Sequence, residues 1–244
     1  MKEITIIDDD HFCGGFTSGR EGVWTRNAPS DPPTEDYTAL GERLGVPLSH
    51  MIRPYQAGGC KVVAVGSEHG GAGIIRDNDL KKVDGLVTAE KGIVLSIIAA
   101  DCVPVYLADG NAGVIGLLHC GWRSAAGELL HNGIRCMEEQ GASPAGIKML
   151  IGPHICAGCY EVGEEVRSFY SGKFTVEELG KIFTERENKL YLDLAQTLRI
   201  KAAAEGITAA DIPASDECTF HDSSYYSYRR GDRGRQDLAF LMMR

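Results

Sequence analysis

Short apolar runs alternate with polar, glycine-rich breaks along nearly the whole chain. Ile93–Ile98 and Val114–Leu118 are too short for helices and too continuously apolar for solvent-facing strands, so both read as buried strands. Lys61–Val65, Leu86–Thr88 and Ile147–Ile151 read the same way. Pro104 lacks the amide that a central ladder needs, so Val103–Leu107 is expected to start at a sheet edge or a bend before continuing as a strand. A longer apolar period predicts helices at Tyr37–Leu44, ended by Gly45, and at Gly163–Tyr170. A third helix is expected over roughly 125–140, capped by Ser124, with Leu130, Ile134 and Met137 on one face and Gly141 at its end. A fourth spans Leu194–Glu205, capped by Asp193 and stopped by Gly206. Residues 11–36, where Phe12, Phe16 and Trp24 are scattered among Gly, Pro, Thr and Asp, read as irregular structure packed over the body. Strands alternating with amphipathic helices predict an α/β layered domain, with strand order left open. Nothing resembles a linker, so residues 1–244 are expected to form a single domain.

Two apolar runs end on reactive side chains. Cys102 follows the run 92–101, and His119 follows 113–118. Strand ends of a layered α/β protein are where side chains leave the core and meet a cleft. A thiol and an imidazole there are either two donors of a zinc site or a nucleophile with its base. A core thiol beside a hydrogen-bonded histidine is the bland alternative. Asp101 is placed to orient a donor or move a substrate proton. Arg123 opens a predicted helix, where the dipole does not favour a cation; an oxyanion contact explains it, and so does a surface ion pair. Trp122 is a pocket wall or a core cover.

Charge narrows the partners. There are 34 acidic and 25 basic residues, for a formal net charge of −9, and no dense Lys/Arg stripe, so nucleic acid is not an expected partner. A local cationic cleft remains compatible with that total. In the run Tyr225–Arg235, turns at Gly231 and Gly234 can bring Arg229 and Arg235 toward a phosphate; packed aromatics with solvated arginines are the alternative. No run approaches the ~18–20 apolar residues of a membrane span, and the N-terminal apolar run is too short for a signal peptide. A cytoplasmic protein with no membrane partner is therefore expected. Of the eight cysteines, Cys13, Cys60, Cys120, Cys136 and Cys218 read as buried or half-buried thiols in a reducing compartment. For the pair Cys156-x-x-Cys159, a structural thiol at Cys159 is the simpler reading. Metal or redox work by the pair, with His154 as third donor, is the alternative.

The strings Ala-Asp-Cys-Val-Pro-Val (100–105), His-Cys-Gly-Trp-Arg (119–123), Ile-Gly-Pro-His-Ile-Cys-Ala-Gly-Cys-Tyr-Glu-Val (151–162) and Ser-Tyr-Arg-Arg-Gly (227–231) resemble, in this order, the signatures of the YfiH family. It is also called the laccase-domain, polyphenol-oxidase or peptidoglycan editing factor family. The resemblance covers about residues 11–244 and implies an α/β/β/α sandwich related to the catalytic domain of cytotoxic necrotising factor. It implies a zinc-dependent purine nucleoside enzyme that uses phosphate as co-substrate to cleave adenosine, inosine or methylthioadenosine and that also deaminates adenosine. Other members are linked to correction of a peptidoglycan precursor. The oxidase name implies copper, but the chain has no His-x-His pair, and copper is not expected. On the family pattern, Cys102, His119, Asp101 and Arg123 carry the chemistry, and Gln56, Trp122, Arg229 and Arg235 border the substrate. The family also places a metal-ligating histidine in a Gln-x-His segment. Here Gln56 matches the glutamine and Gly58 stands at the histidine. This implies zinc that is weakened or absent at Cys102 and His119, with His69 as a candidate replacement donor or else a locally hydrogen-bonded surface residue. The expected partner is a small molecule, a purine nucleoside; oligomeric state is left open. Two alternatives also stay open: a metal-free cysteine hydrolase or amidase-like enzyme, and a non-catalytic ligand-binding member.

Overall fold

The computed structural model describes residues 2–18, 34–208 and 212–244. The strands are β1 (Lys2–Asp8), β2 (Phe12–Ser18), β3 (Met51–Ile52), β4 (Val62–Ala64), β5 (Gly85–Thr88), β6 (Val94–Ala99), β7 (Val103–Asp109), β8 (Val114–Cys120), β9 (Lys148–Ile151), β10 (Glu161–Val162), β11 (Phe183–Arg186), β12 (Lys189–Leu192) and β13 (Asp237–Met243). The helices are α1 (Thr34–Leu44), α2 (Trp122–Ala125), α3 (Leu129–Glu139), α4 (Glu164–Ser171), α5 (Val176–Ile182) and α6 (Leu194–Ala204).

One five-stranded sheet has the order β1-β2-β13-β6-β3, and a second has the order β4-β5-β8-β7-β9. Both are mainly antiparallel, with parallel pairs only at β3/β6 and β4/β5. The alternation of side chains along a strand decides which layer each residue joins. Leu95 and Ile97 of β6 and Leu241 of β13 point inward against Ile115 and Leu117 of β8. Their neighbours Val94, Ile98 and Phe240 point outward and pack with Tyr37 and Leu40 of α1. On the far side, Val105 of β7 and Leu118 of β8 pack under Leu130, Ile134 and Met137 of α3 and Leu198 of α6. The layers therefore run helix, sheet, sheet, helices: the expected α/β/β/α sandwich. The Tyr106 hydroxyl donates to the Gly15 carbonyl at 2.9 Å and ties the two sheets together inside the core.

The structure departs from the sequence reading at β2 and at the helix expected over 125–140. Phe12 and Phe16 lie in β2, which pairs with both β1 and β13, so the segment starting at residue 11 is regular where irregular structure is expected. Its partner strand is almost the last in the chain, which local sequence cannot show; Trp24 falls outside the described residues. The helix expected over 125–140 is two, α2 and α3, separated at residues 126–128. Ser124 does not cap it: its hydroxyl sits inside α2 and donates to the Gly121 carbonyl at 3.2 Å. β7 agrees with the sequence reading: it follows a bend at residues 100–102, one of the two starts expected of Pro104, and continues as an interior strand between β8 and β9. Pro104 escapes the ladder penalty because β9 joins only from Val105 onward.

Candidate active site

The chain crosses from one sheet to the other between β6 and β7, and the crossing puts Asp101 and Cys102 at the mouth of a cavity of about 460 Å³. That volume lies within the range of small-molecule sites. Asp101 adopts φ +81°, a left-handed conformation that costs a non-glycine residue of order 1–3 kcal/mol and survives only where its surroundings fix it. They do. One carboxylate oxygen accepts from the Thr219 hydroxyl at 2.7 Å, the other from the Arg229 amide at 2.7 Å, and the Asp101 carbonyl accepts from the Ile155 amide. Asp101 thus ties the β6–β7 crossing to the C-terminal loop. Each carboxylate oxygen holds one donor, which makes Asp101 a positioning residue and leaves each oxygen a second acceptor site.

His119 lies in β8 opposite Pro104 of β7, which brings its ring beside Cys102. Its Nδ1 hydrogen-bonds Asp84 Oδ1 at 3.0 Å, leaving Nε2 toward Cys102 and the cavity. Asp84 is fully buried. Its carboxylate also accepts from the amides of Ala57, Gly58 and Gly59 at 2.8–3.1 Å, so all its acceptor positions are filled. Burial pushes Asp84 up, but the bonds from His119, Gly59 and Gly58 outweigh it and hold it below the usual carboxylate range. Burial likewise pushes the His119 ring down; the adjacent Cys102 and Asp84 overcome this and raise it to about 9. Both neighbours therefore favour the protonated form of the ring. Gly121 permits the close packing here, because a Cβ at that position would lie 3.3 Å from Cys102 Sγ.

Gly58 lines the same cavity, with φ +73° and nothing within 4 Å of where a Cβ would stand. His69 does not reach this space: it sits in a 3-10 turn outside the cavity lining, with the Glu68 carboxylate 2.8 Å and the Gly66 amide 3.4 Å from its Nδ1. Gln56 lines the cavity, but its amide group is bound both ways to the Ile98 backbone, donating to the carbonyl and accepting from the N–H at 2.8 Å each. It fixes the loop carrying Gly58 against β6. Trp122, Tyr160 and Tyr228 supply aromatic walls. Arg123 stacks over the Trp122 ring at 3.9 Å and Arg229 lies over Tyr160 at 5.0 Å, its guanidinium donating to the Glu161 carbonyl. Arg123 and Arg235 are exposed, and among the described residues neither guanidinium has a hydrogen bond or ion pair. The acidic chain thus carries a locally cationic cavity. Asp84 and Tyr160 escape the sequence reading: Asp84-Gly85 looks like a turn signal, and nothing local marks either residue as belonging to Cys102 and His119.

A second reactive cluster lies apart from the cavity lining. Cys156, Cys159, Cys218 and His221 bring their ligand atoms within 4.8 Å of one another, a Cys3His group whose donors suit zinc. His154 is not the third donor of the Cys156-x-x-Cys159 pair. It is buried, with Nδ1 on the Gly152 carbonyl at 2.8 Å, and its backbone instead pairs with Cys218 and delivers that thiol to the cluster. Cys218 is therefore more than a buried thiol. No helix among the described residues is long and apolar enough to cross a membrane.

The profile of the family described as "Multi-copper polyphenol oxidoreductase laccase" matches residues 31–244. "Adenosine deaminase RL5", from an unknown prokaryotic organism, is 32% identical, covering 94% of each chain. "Purine nucleoside phosphorylase" of Deinococcus radiodurans is 35% identical over 91% of this chain and 83% of its own length. The crystal structure of YfiH from Bacillus licheniformis superposes with a TM-score of 0.86 at 25% identity, covering 96% of this chain and 93% of that one. With a profile spanning most of its length, the same layered fold and relatives of this similarity, the chain belongs to the laccase-domain family of YfiH-like proteins.

Proposed function

We propose that the protein is a purine nucleoside phosphorylase. The observation that carries this is a single cavity joining His119, which Cys102 and Asp84 hold toward its protonated form, aromatic walls and two guanidiniums without hydrogen-bond partners among the described residues, in a family whose relatives bear nucleoside-enzyme names. Arg123 and Arg235, with Arg229 beside them, would hold phosphate by charge-assisted hydrogen bonds. The faces of Trp122 and Tyr160 would flank the base. A phosphate oxygen forms a bond to the ribose anomeric carbon as the carbon–nitrogen bond breaks, and that bonding pair leaves with the purine. His119 Nε2–H faces the cavity and donates to the departing base, while Asp84 keeps the imidazolium oriented.

The resemblance implies zinc at this pocket, but the side chains present do not fit an ion held by three protein ligands. Cys102 and His119 are two donors, Gly58 brings none, and the carboxylates of Asp84 and Asp101 are already bound by protein N–H and O–H groups. Zinc here is accordingly weakened or absent. Deamination at neutral pH needs a strong oxygen nucleophile of the kind a metal-bound water provides, so phosphorolysis is the main activity and adenosine deamination the weaker one. The test is release of free base and of ammonia from inosine, adenosine and methylthioadenosine, with and without phosphate and zinc. Folded, zinc-supplemented protein that turns over none of the three would sink the proposal.

One observation favours a second reading. Cys102, His119 and the buried Asp84 form a nucleophile–base–orienting-acid series, as in metal-free cysteine hydrolases and amidases. Burst kinetics with activated esters or amides, abolished by Cys102→Ala, would support it. Undiminished nucleoside turnover in Cys102→Ala would separate it from the phosphorylase reading.

A further inference from the structure

The Cys3His cluster is assembled from two short turns far apart in sequence. Cys156 and Cys159 lie in the turn after β9, and Cys218 and His221 lie in the segment that runs beside it through the bridge of His154 with Cys218. His221 Nε2 is 3.0 Å from Cys159 Sγ, and its Nδ1 is 4.0 Å from Cys156 Sγ. The Cys156 amide donates to Cys218 Sγ at 3.3 Å, and the amides of Phe220 and His221 also face that sulfur. Backbone N–H groups converging on sulfur are what a negatively charged thiolate ligand needs. A tetrahedral zinc with bonds of ~2.0–2.3 Å spaces its donors roughly 3.5–3.8 Å apart. Atoms already within 4.8 Å reach that spacing by side-chain adjustments of about 1 Å. Among the described residues no other group of three or more such donors converges in this way.

We propose that Cys156, Cys159, Cys218 and His221 bind one structural zinc ion that clamps the wall of the cavity. Four protein donors leave no open coordination position, which marks the centre as structural rather than catalytic. Its place in the fold explains why a clamp is useful. Tyr160 follows Cys159 directly and lines the cavity, and Thr219 follows Cys218 and donates to Asp101. The Arg230 guanidinium donates to the carbonyls of Thr219 and Phe220, so the segment carrying Arg229 hangs on the same turn. Between the two turns, regular backbone pairing amounts to isolated bridges, and all eight cysteines are free thiols. Zinc would supply the cross-link that a disulfide gives elsewhere. Loading converts three thiols to thiolates and releases their protons to solvent, so occupancy falls as pH falls. The proposal does not depend on the nucleoside reading of the cavity.

Metal analysis of protein purified without chelator tests it. About one zinc per chain is expected in the parent and in Cys102→Ala/His119→Ala, and loss of that zinc is expected in Cys156→Ser/Cys159→Ser. Cobalt loaded into the parent should give the intense visible and near-ultraviolet bands of a tetrahedral thiolate site. His221 is exposed, so His221→Ala offers a variant that keeps the fold; it should shift those bands and weaken zinc at least ~10-fold. If the serine pair fails to fold, this milder variant and the cobalt spectrum still decide. Zinc that disappears only with Cys102 and His119 would overturn the proposal, as would zinc-supplemented protein that binds none. A Cys156–Cys159 disulfide in freshly purified reduced protein would overturn it as well.

Discussion

Gly58→His places a donor at the cavity position where the resemblance implies a metal-ligating histidine. The structure sets both sides of the energy balance. No heavy atom lies within 4 Å of the new Cβ, so packing opposes nothing. The φ of +73° does oppose it: a left-handed L-residue costs roughly 1–2 kcal/mol, although histidine is among the residues that visit this region more readily. Without metal, the variant should therefore melt lower than the parent by a few degrees, at about 2–4 °C per kcal/mol for a chain of this size. With zinc the sign reverses. Loss of even an outer-shell partner weakens metal sites 10–100-fold, so gaining a direct ligand should strengthen the pocket site at least ~100-fold. Zinc at 100 times its dissociation constant stabilises by about 2.7 kcal/mol, which exceeds the backbone cost. The assay is zinc stoichiometry and zinc-dependent melting of both proteins at one fixed pH. The increment between them isolates the pocket from the Cys3His centre, which both retain. A parent whose pocket already holds tightly bound zinc, unchanged by the substitution, would refute the reasoning and show that another donor completes the shell. A variant that gains no zinc would show that the backbone aims the ring away from Cys102 and His119.

Three further outcomes follow from the same geometry. Arg235→Ala and Arg123→Ala should each raise the phosphate KM by roughly ten- to a hundredfold, the worth of a charge-assisted hydrogen bond, while stability stays within about 0.5 kcal/mol because both side chains are exposed; unchanged phosphate dependence in the double variant would remove them from the anion site. His119 is raised from 6.5 to about 9 on folding, so its contribution to stability is complete below about pH 6.5 and lost as pH rises through about 9; denaturant titrations of metal-free protein across that window should show the decline and His119→Gln should flatten it, and equal slopes in the two proteins would contradict it. Asp84→Asn should cost roughly 1–3 kcal/mol and lower the upper pH limit of activity, since three amides and the His119 ring lose a charged acceptor; a wild-type pH profile in this variant would mean that Asp84 does not set the His119 proton.

Much of the architecture was legible because it is written locally. Buried strands such as β6 and β8 show as unbroken apolar runs, and α6 shows its Asp193 cap, whose carboxylate accepts from the Gln196 amide at 2.8 Å. The proximity of Cys102 and His119 follows from adjacent strands whose ends coincide, so the two motifs were enough to pair them. What stayed hidden depends on contacts between distant segments. β2 finds β13 across most of the chain. Asp84 joins His119 only because β5 pairs with β8, and a turn-like Asp-Gly gives no hint of a buried carboxylate binding four donors. Cys156 and Cys159 were visible as a pair, but their partners come from a segment with no regular structure of its own, and the nearest histidine in sequence, His154, turned out to serve the backbone. Spacing reveals half of a metal site; topology supplies the other half.

The absence of zinc proposed for the pocket would change the electrostatics of the cavity, and this bears on which reaction it can support. A divalent ion on Cys102 and His119 would need the ring nitrogen unprotonated and would bring two positive charges of its own. Without that ion, Cys102 and Asp84 favour the protonated ring. The positive charge of the cavity then rests on the guanidiniums of Arg123, Arg229 and Arg235, with the His119 ring held toward its protonated form by Cys102 and Asp84. That distribution suits a reaction in which an anion enters and an anionic base leaves, because donors face both ends of the displacement. Hydrolytic deamination asks for something else, an activated water of the kind a bound metal supplies. The ratio of the two activities therefore reads out the state of one ring. Gly58→His with zinc should shift the balance toward ammonia release, and the unsubstituted chain should favour base release. If the parent deaminates adenosine faster than it cleaves inosine while its pocket is free of metal, the charge argument fails, and a different group must activate the water.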